Sequence, residues 1–78
     1  MQQFHIRLSS VEEVSAFVSL AMVQPFPVQV GSPDFHVSGK NFMGMFCLDL
    51  RQPQQVQVEC DETQFRCFRQ KAAKFLAV

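Results

Sequence analysis

Apolar residues recur with two different periods along this chain, and the switches between them lay out its secondary structure. Phe4, Ile6 and Leu8 alternate with His5 and Arg7, the period-two signature of a strand with one buried face. Ser10-Val11-Glu12-Glu13 has the form S-x-x-E, in which serine and glutamate satisfy orphan amides at a helix start. Val11, Val14, Phe17, Val18, Ala21 and Met22 then recur at helical spacing, which predicts a helix of about 11 to 13 residues. Pro25-Phe26-Pro27 ends it, because the residue before a proline is pushed out of the helical region. Val28-Gln29-Val30 reads as a second strand, Gly31-Ser32-Pro33-Asp34 as turn chemistry and Phe35-His36-Val37 as a third strand, together a hairpin.

Ser38-Gly39-Lys40 turns again, and Asn41 suits the cap of a short helix. The segment from Gly39 to Leu50 is apolar almost all the way round. A helix of about two or three turns on a small domain buries one stripe only, so part of Phe42, Met43, Met45, Phe46, Cys47 and Leu48 should stay at the surface. Phe42, Met43 and Phe46 are the candidate docking residues. Gly44 in mid-helix costs about 1 kcal/mol relative to alanine, which points to the close approach of some other group. Arg51-Gln52-Pro53-Gln54 reads as a loop, and Gln55 to Cys60 alternates as a fourth strand. Asp61-Glu62-Thr63-Gln64 can cap a last helix, whose Phe65, Phe68, Ala72, Phe75 and Leu76 form one apolar stripe. Arg66, Arg69, Lys71 and Lys74 lie off that stripe, and cations toward a helix carboxyl end suit its dipole.

The order is therefore β-α-β-β-α-β-α. Because every strand alternates, one face of the sheet is packed and the other wet, which calls for an open-faced α+β sandwich with the helices on one side. A chain of 78 residues makes one domain, 1–78, and 47% hydrophobic residues with nine Phe are enough for a core. A formal net charge of zero offers no basic field to nucleic acid and no polybasic patch to a membrane surface. Cys47, Cys60 and Cys67 are odd in number and lie inside periodic segments, so reduced thiols are expected. Cys60 and Cys67 lack the CxxC spacing of a redox pair and are expected to pack as small core hydrophobes. Without a signal-peptide pattern at the start or a run of ~20 apolar residues, the expected location is the cytoplasm.

The element order, the Ser38-Gly39-Lys40 turn, the Met43-Gly44-Met45-Phe46-Cys47-Leu48 run, the final strand and the final helix resemble the HPr family, the histidine-containing phosphocarriers of the bacterial sugar phosphotransferase system. That resemblance implies a four-stranded antiparallel sheet in the order 1-4-2-3 with three helices on one face. It also implies a second helix that opens at a regulatory serine and offers an apolar face to partner proteins. Asn41 holds the serine position here, and Phe42, Met43 and Phe46 match the docking positions.

In HPr a loop of the form G-x-H-x-R-P sets a histidine at the amino end of the first helix. Free N–H groups and the helix dipole welcome a phosphoryl group there, and the arginine neutralises it. This chain instead runs Leu8-Ser9-Ser10-Val11-Glu12-Glu13: the loop is shorter, Ser10 falls near the histidine position and Glu12 near the arginine position. Two carboxylates in the first turn complement the dipole and would repel phosphate. Ser10 reads as a cap, since a serine phosphoester is too stable to serve as a relay. His5 and His36 occupy outward strand positions, and in the order 1-4-2-3 they fall on opposite edges, roughly 14 Å apart. Neither can reach the first helix or share a metal with the other.

The expectation is a non-enzymatic binding or regulatory module related to the phosphotransferase system, without catalytic residue, cofactor or metal. Its partners would be proteins, phosphotransferase components or a transcriptional regulator, met through the second helix. A phosphocarrier protein and a divergent small interaction domain unrelated to sugar transport are the alternatives.

Overall fold

In the computed structural model, which describes residues 2–77, the alternating segments pair into one antiparallel sheet. The elements are β1 (Gln2–Ile6), α1 (Val11–Met22), β2 (Val28–Gly31), β3 (His36–Ser38), α2 (Phe42–Met45), β4 (Gln54–Val58) and α3 (Glu62–Lys71), followed by a 3-10 turn at Ala73–Phe75. The strand order is β1-β4-β2-β3, and the three helices cover one face. This is the α+β architecture, with the sheet order 1-4-2-3, that the sequence led us to expect.

Register explains the two faces. Phe4, Val56 and Val30 line up across β1, β4 and β2, and all are buried beneath the helices. The row Gln3, Gln57, Gln29, Ser38 and the row His5, Gln55, Gly31, His36 form the open face, where the Gln55 amide donates to the Gln3 side chain. The core is built on aromatic edges: Phe68 meets Phe4, Phe17 and Phe26 with centroids 5.8, 6.1 and 5.8 Å apart. The contacts with Phe4 and Phe26 are edge to face and that with Phe17 is tilted, and aromatic pairs of this kind add about 0.5–1.5 kcal/mol beyond area burial. Phe26 is buried although two prolines flank it.

Several boundaries depart from the sequence reading, each for a local reason. β3 starts one residue late because Phe35 is spent on the turn, where the Ser32 amide donates to the Phe35 carbonyl at 2.8 Å. Gly31 permits that turn with φ +149°, since a Cβ there would lie 2.3 Å from the Phe35 oxygen. β4 starts at Gln54 and stops at Val58, so Cys60 falls outside it. The last apolar stripe is not one helix. α3 ends at Lys71, Phe75 lies in the 3-10 turn and Leu76 is extended beside Ile6. Val11 and Met22 flank the α1 stripe and are mostly exposed. Of the cysteines, Cys60 is half-buried while Cys47 and Cys67 are exposed. The expectation of a core position fails for Cys67 because its neighbour Phe68 takes the inward direction on α3.

Candidate functional site

Three pieces of chain converge beside the amino end of α1: the β1–α1 junction, α2 and the loop leading to β4. The junction is closed by its own side chains. Ser10, at φ −151° and ψ 162°, caps α1 by accepting from the Glu13 amide at 3.1 Å. Glu13 reaches one residue further back than a capping box requires: its Oε1 accepts from the Ser9 amide at 2.6 Å and the Ser9 hydroxyl at 2.8 Å. The Ser9 amide, then its hydroxyl, hold the Glu13 carboxyl below the ordinary glutamate range. Glu12 is exposed in the same first turn. Donors that could receive an anion at this helix end are thus answered partly by an internal carboxylate.

α2 is a single turn, shorter than its apolar run suggested. Asn41 caps it, accepting from the Gly44 amide at 3.1 Å, and beyond Met45 the chain tightens to 3-10 bonds, Phe46 N–H to Met43 O at 3.2 Å and Cys47 N–H to Gly44 O at 3.0 Å. Met45 and Leu48, three apart, take the buried side. Phe42, Met43 and Phe46 are left 38%, 73% and 43% exposed. Phe42 and Phe46 stack edge to face at 5.1 Å, so two of the three stiffen each other. The group that approaches Gly44 is the cap itself: a Cβ at Gly44 would lie 3.2 Å from the Asn41 amide carbon and nitrogen.

α2 runs antiparallel to α1. Lys40, before α2, donates from Nζ to the Gln24 carbonyl beyond the end of α1 at 2.8 Å. Phe46, after α2, lines a groove with Val11 and Val14 near the start of α1. That groove holds about 490 Å³; Leu8 and Leu50 complete its apolar lining, Ser9 and Ser10 supply hydroxyls, and Arg7 and Arg51 stand at its rim. Arg51 is fixed by Asp49, with Nε on Oδ1 at 3.0 Å and Nη2 on Oδ2 at 3.3 Å. The Arg51 guanidinium in turn holds the Asp49 carboxyl below its usual range, although both groups are open to water and the pair adds little to stability.

A residue the sequence reading passed over holds the third wall. Gln54, which its sequence context assigns to a loop, is 7% exposed, and its Nε2 donates to the Asp49 carbonyl at 2.6 Å and the Gln52 carbonyl at 3.0 Å. A buried amide that ties two carbonyls of one loop gives no signal in a hydrophobicity pattern, since glutamine is more often exposed. His5 and His36 lie exposed on the open face, joined through Gln55 and Gly31 by the strand register, which sets them about 14 Å apart. Neither belongs to the groove. Among the described residues no helix is long and apolar enough to cross a membrane. No protein-family model matches this chain, and no curated protein matches it.

Proposed function

We propose that this chain is a non-catalytic, cytoplasmic protein-binding module of HPr-like kind, related to the phosphotransferase system, that docks a partner protein on α2 and the groove beside it. One observation carries the reading: Val11 and Phe46 expose apolar surface along a groove, Phe42 and Met43 expose more of it on the short helix that Phe46 caps, and the adjacent helix end is already served by Ser9, Ser10 and Glu13. Apolar patches of this kind, rimmed by polar groups, are typical of protein contacts. The HPr-like sequence features supply the class of partner, a phosphotransferase component or a transcriptional regulator. Loss of the junction histidine and the presence of Asn41 in the regulatory-serine position argue for binding without phosphoryl transfer.

Two arms test the reading. Incubation with phosphoenolpyruvate and the system's first enzyme, read by intact mass, should add no phosphate; a gain of one phosphate, lost on replacing His5 or His36, would sink the non-catalytic half. Affinity capture from the source lysate should retain a partner on the intact chain and lose it on Met43→Glu. Equal capture by a folded Met43→Glu variant would remove α2 from the interface.

A further inference from the structure

The last residues of the described chain lie against a sheet edge. β1 is an outer strand. Its free side is met by the segment after the 3-10 turn: the Arg7 amide donates to the Phe75 carbonyl at 2.7 Å, the Ala77 amide donates to the His5 carbonyl at 3.0 Å, and Leu76 pairs antiparallel with Ile6. The cover is held unevenly. Phe75 is 3% exposed and meets Phe17 edge to face at 5.9 Å, whereas Leu76 and Ala77 are half-buried.

Backbone groups alternate sides along an antiparallel strand, so the bonds of His5 and Arg7 to this segment mean that Gln3, His5 and Arg7 all point theirs outward. Gln2, Phe4 and Ile6 point theirs at β4. Among the described residues no backbone group meets Gln3 from the outer side. From Gln2 to Ile6 there is no Lys, Arg, Asp or Glu, the residues with which proteins usually blunt such an edge. The opposite edge, β3, is protected differently, by being only three residues long.

We propose that Leu76 and Ala77 form a displaceable strap, and that the β1 edge beneath them is a self-association site for β1 of a second copy of this chain. With Phe75 left in its pocket and still bonded to Arg7, lifting the strap frees the His5 carbonyl, and the outward groups then open are those of Gln3 and His5. An antiparallel pairing centred on Phe4 uses all of them, because Gln3 then faces His5 of the second copy and each pair exchanges both backbone bonds. It also keeps the faces matched. Phe4 meets its own copy on the packed side as a cross-strand aromatic pair, while Gln3 and His5 stay on the wet side. A one-residue slip would turn the packed side of one copy toward water.

Sedimentation velocity from low micromolar to near-millimolar concentration tests this on the full chain and on a variant truncated after Phe75. The full chain should remain monomeric and the truncated one should dimerise. Adding Gln3→Pro, which deletes an outward N–H and the side-chain contact to Gln55 but none of the backbone bonds to β4, should abolish the dimer. A folded truncated variant that stays monomeric throughout, or a dimer that survives Gln3→Pro, would overturn the proposal. Should truncation unfold the protein, amide exchange on the full chain decides: the Ala77 amide should exchange at least ~100-fold faster than that of Phe4. Equal protection of the two would mean that the strap does not lift, and the proposal fails.

Discussion

Phe46 and Phe68 are the same residue type in opposite situations, and truncating each to alanine separates a docking surface from a core. Phe68 is 0% exposed and touches three other rings, so Phe68→Ala leaves a cavity that neighbours cannot fill and should cost about 3–5 kcal/mol. Phe46 is 43% exposed and stacks on Phe42 alone among the aromatic pairs. Full burial of a Phe side chain is worth up to about 3 kcal/mol. Roughly half of that applies to Phe46, and water rather than a void replaces the lost ring, so Phe46→Ala should cost about 1 kcal/mol. Urea titration followed by far-UV circular dichroism would read both variants against the parent, with unchanged slope as the check that the unfolded state is the same. Against a total of about 5–10 kcal/mol for a small domain, Phe68→Ala should be close to unfolding and Phe46→Ala should not. Equal losses in the two variants would place Phe46 in the core and take away the surface on which the proposed function depends.

Two further substitutions probe the helix starts. Gly44→Ala gains about 1 kcal/mol of helix propensity but presses on the Asn41 side chain, so it should stabilise more in an Asn41→Ala background than in the parent; equal effects in both backgrounds, measured by thermal melts, would contradict the cap contact. Ser9 lowers the Glu13 pKa in the folded state below its ordinary value of 4.5, so the stabilisation is present above that value and disappears as pH falls through the folded one. Stability of the parent and Glu13→Gln should therefore differ at neutral pH and converge in acid, and a gap that stays constant with pH would refute the assignment.

The parts of this structure that could be read from sequence are those decided within a few residues. Alternation at Phe4, Ile6, Val56 and Val58 fixes which face is buried, and the serine, asparagine and aspartate caps at Ser10, Asn41 and Asp61 each accept an amide three residues on. What escaped the reading is decided by distant partners. The stripe Phe65, Phe68, Ala72, Phe75, Leu76 keeps helical period to its end, yet Phe75 must reach Phe17 while Leu76 must lie beside Ile6, and a continuous helix cannot direct both. Cys67 sits next to an inward Phe68 and is turned out, a consequence of helix phase that composition does not carry.

The candidate site divides along the same line. Exposure of Phe42, Met43 and Phe46 follows from an apolar segment too short to bury every side, and that much is local. The groove beside them is not, because it needs Lys40 tied to Gln24, Gln54 holding the loop of Asp49 and Gln52, and Asp49 directing Arg51 to the rim. Glu13 joins the two levels. Its spacing from Ser10 announces a cap, but only the bend of the chain at Ser10 brings the Ser9 amide and hydroxyl to the carboxylate beside the helix end. The result is a first turn whose anion is built in, so a docking partner would meet this surface through apolar contacts and the rim arginines rather than through a phosphate held at α1.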